Sequence, residues 1–229
     1  KSDQSLEDGY LPIPTVTWKG APVTLEVTAD PAGDGSRGGT WVRYRLANPS
    51  HTQVHGALFL AIRPFQVNPP AQFLNTPGGA VEIRALERGA GEVRVNDRPG
   101  VVTLTPPSAF GATTFDAGDV TRYLSAGTVP PAAAAADQFA HASGALAYAF
   151  ELAPGEQRTV AIVIPLDGEL VADAGVAHDR KISPWRTDLG PARISLPPSA
   201  REVERSLAAQ IGWIAVNRTT FETRFPGVY

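Results

Sequence analysis

Turn-forming residues interrupt this chain about every 8–12 residues, and the stretches between them are short and extended in character. Residues 23–29 alternate apolar and polar side chains: Val23, Leu25 and Val27 fall on one face, and Thr24, Glu26 and Thr28 on the other. That is the pattern of a half-buried strand. Residues 41–46 alternate again before the turn at Asn48-Pro49-Ser50. Residues 92–95 lead into Asn96-Asp97, and residues 101–105 close on Pro106-Pro107. Residues 145–152 and 157–165 flank the turn Ala153-Pro154-Gly155-Glu156. With 15–18, 81–86 and 109–115, at least eight short strands are predicted, which suggests a sandwich or barrel. Residues 1–14 read as an irregular lead-in, 30–39 as a flexible loop and 126–136 as a low-complexity loop. Asp119 is placed to cap one helical turn over 119–124.

The run from Ala57 to Ile62 is too short for a buried helix and alternates little. It predicts a central strand covered on both faces, and residues 56–63 are expected to pair antiparallel with residues 40–47. Pro64 ends that strand, because proline has no N–H for the ladder. From Phe65 onward the path is stiff, since Pro69 and Pro70 fix φ and restrict the residues before them. Arg63, Gln66 and Asn68 are polar groups on that path. Either they satisfy loop backbone, as buried polar groups usually do, or with Phe65 they face a partner.

The character changes near residue 170, which divides a β domain over 1–169 from a linker region over 170–229. Part of the stretch around Trp185 is expected to be helical. The clearest helix is predicted over about 199–217: Ser199 and Glu202 form a capping-box pattern, and Val203, Leu207, Ile211 and Ile214 make one apolar stripe. Apolar residues outside that stripe, Trp213 and Val216, suggest a missing partner.

A formal charge of -3 gives no reason to expect nucleic acid or an anionic membrane as partner. No apolar run approaches the roughly 20 residues of a membrane-spanning helix. The absence of cysteine excludes disulfides, thiolate metal sites and cysteine nucleophiles. The absence of methionine, even at position 1, points to a processed chain or a piece of something longer.

Four segments, in order, carry a family resemblance: 58–75 from Leu58 through Arg63-Pro64-Phe65-Gln66-Val67-Asn68-Pro69-Pro70, then 104–111, 143–150, and 206–211 with Asn217-Arg218. They resemble large bacterial glycoside-hydrolase-like proteins, often labelled coagulation factor 5/8-type or discoidin-like, which carry an (α/α)6 barrel. The resemblance implies an antiparallel two-sheet β-supersandwich with a C-terminal linker helix leading into a helical barrel of the same polypeptide. In such enzymes the catalytic carboxylates sit in the barrel, so no catalytic residue is carried over to this chain.

Other constellations favour plainer readings. Gly33-Asp34-Gly35-Ser36-Arg37-Gly38 fits a nucleotide-loop pattern by letter, but a strand follows it rather than a helix. His51 and His55 have the spacing of helical zinc ligands in a stretch that reads as turn and strand. Asp116 and Asp119 are too few carboxylates for calcium. Trp18, Trp41 and Trp185 could stack on sugars, but core or edge packing is the plainer role. No metal or cofactor is assigned. The functional expectation is a non-catalytic accessory domain that packs on the helical barrel and helps shape its carbohydrate cleft, with Arg63, Phe65, Gln66 and Asn68 as contact residues. A free-standing carbohydrate-binding module and a mutarotase-type sugar enzyme are the alternatives.

Overall fold

Asp8 and Gly9 take left-handed backbone angles, φ 54° and 78°, and so reverse the chain within its first ten residues. Strand β1 (Ser2–Glu7) and strand β2 (Leu11–Lys19) pair antiparallel across this turn. The expected irregular lead-in is therefore a hairpin, and it is anchored by Leu11 and Ile13, both fully buried. Pro12 and Pro14 obscured it. They lie in the part of β2 that pairs with β1 alone, where a missing N–H is tolerated.

The computed structural model describes residues 1–20, 22–32, 38–68, 79–166, 185–187, 189 and 194–224. Among them, β3 (Thr24–Ala32), β4 (Gly39–Ala47), β5 (Val54–Ile62), β6 (Gln66–Asn68), β7 (Gly79–Ala80), β8 (Ala85–Arg88), β9 (Glu92–Val95), β10 (Arg98–Thr103) and β11 (Ala109–Thr113) come first. Helix α1 (Val120–Ser125), β12 (Ala134–Ala136), β13 (Ser143–Leu152) and β14 (Gln157–Pro165) follow. A 3-10 turn (Pro198–Ala200) then opens helix α2 (Arg201–Arg224).

The strands form a mainly β, antiparallel two-sheet supersandwich, with α2 as its C-terminal helix. The larger sheet runs β1-β2-β3-β4-β14-β10-β9-β8-β12, and the smaller runs β11-β13-β5. Val42, Val93, Val101, Val160 and Ile162 of the larger sheet meet Ala112, Leu146 and Tyr148 of the smaller, with Leu58, Leu60 and Ile62 packed against them. Gly111 lets β11 approach its neighbour: a Cβ there would fall 1.7 Å from the Pro130 carbonyl oxygen.

Several expectations are corrected. Residues 40–47 and 56–63 do not pair. Both edges of β4 are occupied, by β3 and β14, and β5 joins β13 in the other sheet. Nor is β5 central. It is the edge strand of the smaller sheet and has no fully buried residue, while β13 holds the centre. The apolar run suggested two covered faces, but its outward positions include Ala57 and Ala61, small side chains that tolerate exposure.

Strand β3 continues through Asp30, which is buried, into the stretch expected to be a loop, and β4 resumes at Gly39. Residues 33–37, most of the nucleotide-loop pattern, lie outside the described residues. Within the expected alanine-rich loop, β12 pairs with β8. Of the strand expected over 81–86, only Ala85 and Leu86 enter β8, while Ile83 makes an isolated bridge to His141.

Other local chemistry matches the sequence. Asn96 and Asp97 turn between β9 and β10 with φ of 50° and 65°. The Asp119 carboxylate caps α1 by accepting from the Thr121 N–H at 2.8 Å. Trp185, Thr187 and the residue between them are helical.

Candidate interaction surface

Beyond β5 the chain carries the residues singled out from sequence. The Arg63 guanidinium lies 5.8 Å from the centroid of the Phe65 ring, a cation–π contact at an exposed site. Phe65 is 58% exposed. Its carbonyl accepts from the Val81 N–H at 3.5 Å. Gln66 pairs with Ala80 and Asn68 with Gly79, so these residues form a two-stranded ladder rather than a free loop. Pro69 and Pro70 lie outside the described residues.

This ladder leads to a second aromatic group that sequence reasoning missed. Two residues past Val81, Ile83 donates to the Ala140 carbonyl and accepts from the Ala142 N–H, each at 2.9 Å. In the segment so fixed, Asp137 is buried and gathers three backbone donors. One carboxylate oxygen accepts from Phe115 N–H at 2.6 Å, and the other from Phe139 at 2.8 Å and His141 at 3.1 Å. These bonds, led by that from Phe115, hold its pKa below the usual carboxylate value.

The Asp137 side chain thus fixes two loop backbones whose aromatic side chains point outward. Phe115 and Phe139 are each 56% exposed, and Phe115 meets His141 edge-on at 5.9 Å. The signal was present in Asp137-Gln138-Phe139, an Asx turn in which a carboxylate binds the N–H two residues on. It was masked by the alanine-rich setting.

Helix α2 presents a third surface. It starts from the 3-10 turn at Pro198, so the expected capping box is replaced: Glu204, not Glu202, reaches back, and its carboxylate accepts from the Leu196 N–H. Glu202 instead approaches Arg205 at 3.4 Å.

The helix also sits differently from its predicted stripe. Leu207, Ala208, Ile211, Gly212 and Ala215 are covered to differing degrees, while Val203 is 60% and Ile214 64% exposed. At 100° per residue the covered face is rotated by about 75° from the centre of the stripe. Packing against the β1–β2 hairpin sets this rotation. A Cβ on Gly212 would meet Leu189 at 3.4 Å, Pro12 at 3.7 Å and the Tyr10 carbonyl at 3.9 Å. Arg205 packs over Gly9, and Arg186 clasps Asp8 through two hydrogen bonds of 2.8 and 2.6 Å.

The remaining candidates separate. His51 lies in an exposed turn and His55 on β5, so they share no helix face. Among the described residues no group of three His, Asp or Glu is placed to hold a metal ion. Trp41 is buried beneath the Arg43 guanidinium at 5.0 Å, whereas Trp18 is 45% exposed. The Glu156 carboxylate caps its own turn by accepting from Ala153 N–H at 2.8 Å, and Gln53 donates to Glu151. Among the described residues no helix is long and apolar enough to cross a membrane.

Compared with known proteins, the chain matches no protein-family model and no curated protein.

Proposed function

We propose that this chain is a non-catalytic accessory β-sandwich domain of a multimodular glycoside-hydrolase-like protein, docked on a helical barrel of the same polypeptide. The observation that carries the reading is the seating of α2. The helix meets the sandwich with one face and keeps Val203 and Ile214, on the adjacent face, largely in solvent. A 24-residue helix is about 36 Å long at 1.5 Å per residue, so it can serve two neighbours at once. Exposed large aliphatic residues in register on a rigid helix suit a helix-packing partner.

The Arg63–Asn68 ladder and the aromatic corner would form a second contact, beside the carbohydrate cleft. The exposed Phe65, Phe115 and Phe139 also favour a second reading, a free-standing carbohydrate-binding module, because flat aromatic faces are what sugars stack on.

The test of docking is a V203D/I214D double variant in the parent polypeptide. The reading predicts faster proteolytic cleavage between sandwich and barrel, with the melting temperature of the isolated sandwich little changed. Unchanged cleavage in the parent would reject it.

A further inference from the structure

The outer face of the larger sheet changes character along its strands. One rung is buried: Trp41 and Val163 sit opposite each other, with Val102 opposite Val163 in the next strand and the Asp30 carboxylate opposite Trp41 on β3. The next two rungs on that face are polar. Thr15, Thr28 and Arg43 stand side by side across β2, β3 and β4. Glu26, Arg45 and Thr159 do so across β3, β4 and β14. With Glu7 they line a groove of about 300 Å³.

These side chains are already held in place. The two threonine hydroxyls are 2.8 Å apart, Arg45 pairs with Glu26 at 2.7 Å, and Arg43 lies 3.6 Å from Asp30. The side chains of Arg43 and Glu26 are each only 30% exposed, though they stand on the outer face of a sheet.

We infer that this groove is a binding site for a neutral, hydroxyl-rich ligand of mono- or disaccharide size. Guanidinium groups donate, carboxylates accept, and hydroxyls do both, so the two rungs offer both kinds of partner to a polyol. Arg45 is matched by Glu26 and Arg43 by the buried Asp30, so the groove offers an anionic ligand no uncompensated cation. The volume falls at the lower end of small-ligand pockets. The lining lacks the large apolar side chains that a lipid would need. The site lies on the larger sheet, whereas the ladder beyond Arg63 is a separate two-stranded sheet, and the inference holds whether or not the chain docks on a barrel.

The experiment is backbone-amide NMR on the full chain, titrated with glucose, maltose and cellobiose. The site predicts saturable shifts for at least one sugar, confined to the neighbourhood of Thr15, Glu26, Thr28, Arg43, Arg45 and Thr159. T28V and R45Q should each weaken that sugar by about tenfold, the worth of one good hydrogen bond. No shift with any of the three sugars overturns the inference. So do shifts centred on Phe65 and Phe139, or folded variants that bind as tightly as the parent sequence. Should a variant not fold, the map on the unmodified chain decides.

Discussion

Asn48 joins the two sheets: its amide nitrogen donates to the Leu152 carbonyl at 3.0 Å, bridging the end of β4 and the end of β13. The same nitrogen reaches the carbonyls of Thr52 at 2.7 Å and Ala153 at 3.1 Å. Its oxygen accepts from the Ser50 N–H and hydroxyl at 3.0 and 2.6 Å. The residue is 1% exposed and its bond to Leu152 is buried, so that carbonyl has little water to replace it.

Asn48→Ala should therefore cost about 1–3 kcal/mol, because the buried Leu152 carbonyl would lose its donor and the Ser50 groups their acceptor. Asn48→Asp should be at least as harmful, since a carboxylate cannot donate to them. Urea titration of both variants checks this. A loss below about 0.5 kcal/mol for Asn48→Ala would mean that the sheet crossover holds without it.

Tyr148 is 1% exposed, and its hydroxyl finds no hydrogen-bond partner among the described residues. Burial pushes its pKa up to about 12 from 10.0. A raised folded pKa means that stability is intact below pH 10 and falls as pH climbs from 10 towards 12, because the unfolded chain ionises first. Tyr148→Phe should be neutral or stabilising at pH 7 and should flatten that alkaline loss. Thermal melts from pH 8 to pH 12 would read both effects, and a strongly destabilised Phe variant would contradict the account.

Asp137 has the opposite sign. Its folded pKa is lowered by the Phe115, Phe139 and His141 N–H groups. The stability it supplies is present above the ordinary aspartate value of 3.8 and is lost as pH falls through the lowered folded pKa. Asp137→Asn should lower the melting temperature at neutral pH, and the gap to the unmodified chain should narrow in acid. A gap that does not change with pH would show that the carboxylate's charge is unimportant.

Phe65→Ala should leave the isolated chain folded, with a change within about 0.5 kcal/mol, because the ring is 58% exposed. In the parent polypeptide it should weaken docking or glycan contact. Asn68→Ala should behave likewise. If either variant unfolds the chain, the ladder is structural and the contact role fails.

The strands were legible where chemistry is local. The alternation in residues 23–29, the Asn96-Asp97 turn and the Asp119 cap all depend on neighbours in sequence, and the structure holds each of them. The partners of β4 and β5 were not legible, because pairing depends on which edges are already occupied, and β14 reaches β4 from more than a hundred residues away. The rotation of α2 was missed for a similar reason. The stripe gives the apolar residues of the helix, but the hairpin at Asp8–Gly9 decides which face is covered.

The candidate surface was half readable. Phe65 stood out beside Arg63 and the prolines, while Phe115 and Phe139 come to the same end of the fold through the register of β5, β13 and β11 and the bonds of Ile83 and Asp137.

The most direct test of the accessory-domain reading is the intact mass of the native species carrying this domain, detected in its source cell with an antibody to the sandwich. The reading predicts a polypeptide several times heavier than 24.2 kDa, with the sandwich protected against cleavage from its neighbour. A native species of 24.2 kDa would contradict it.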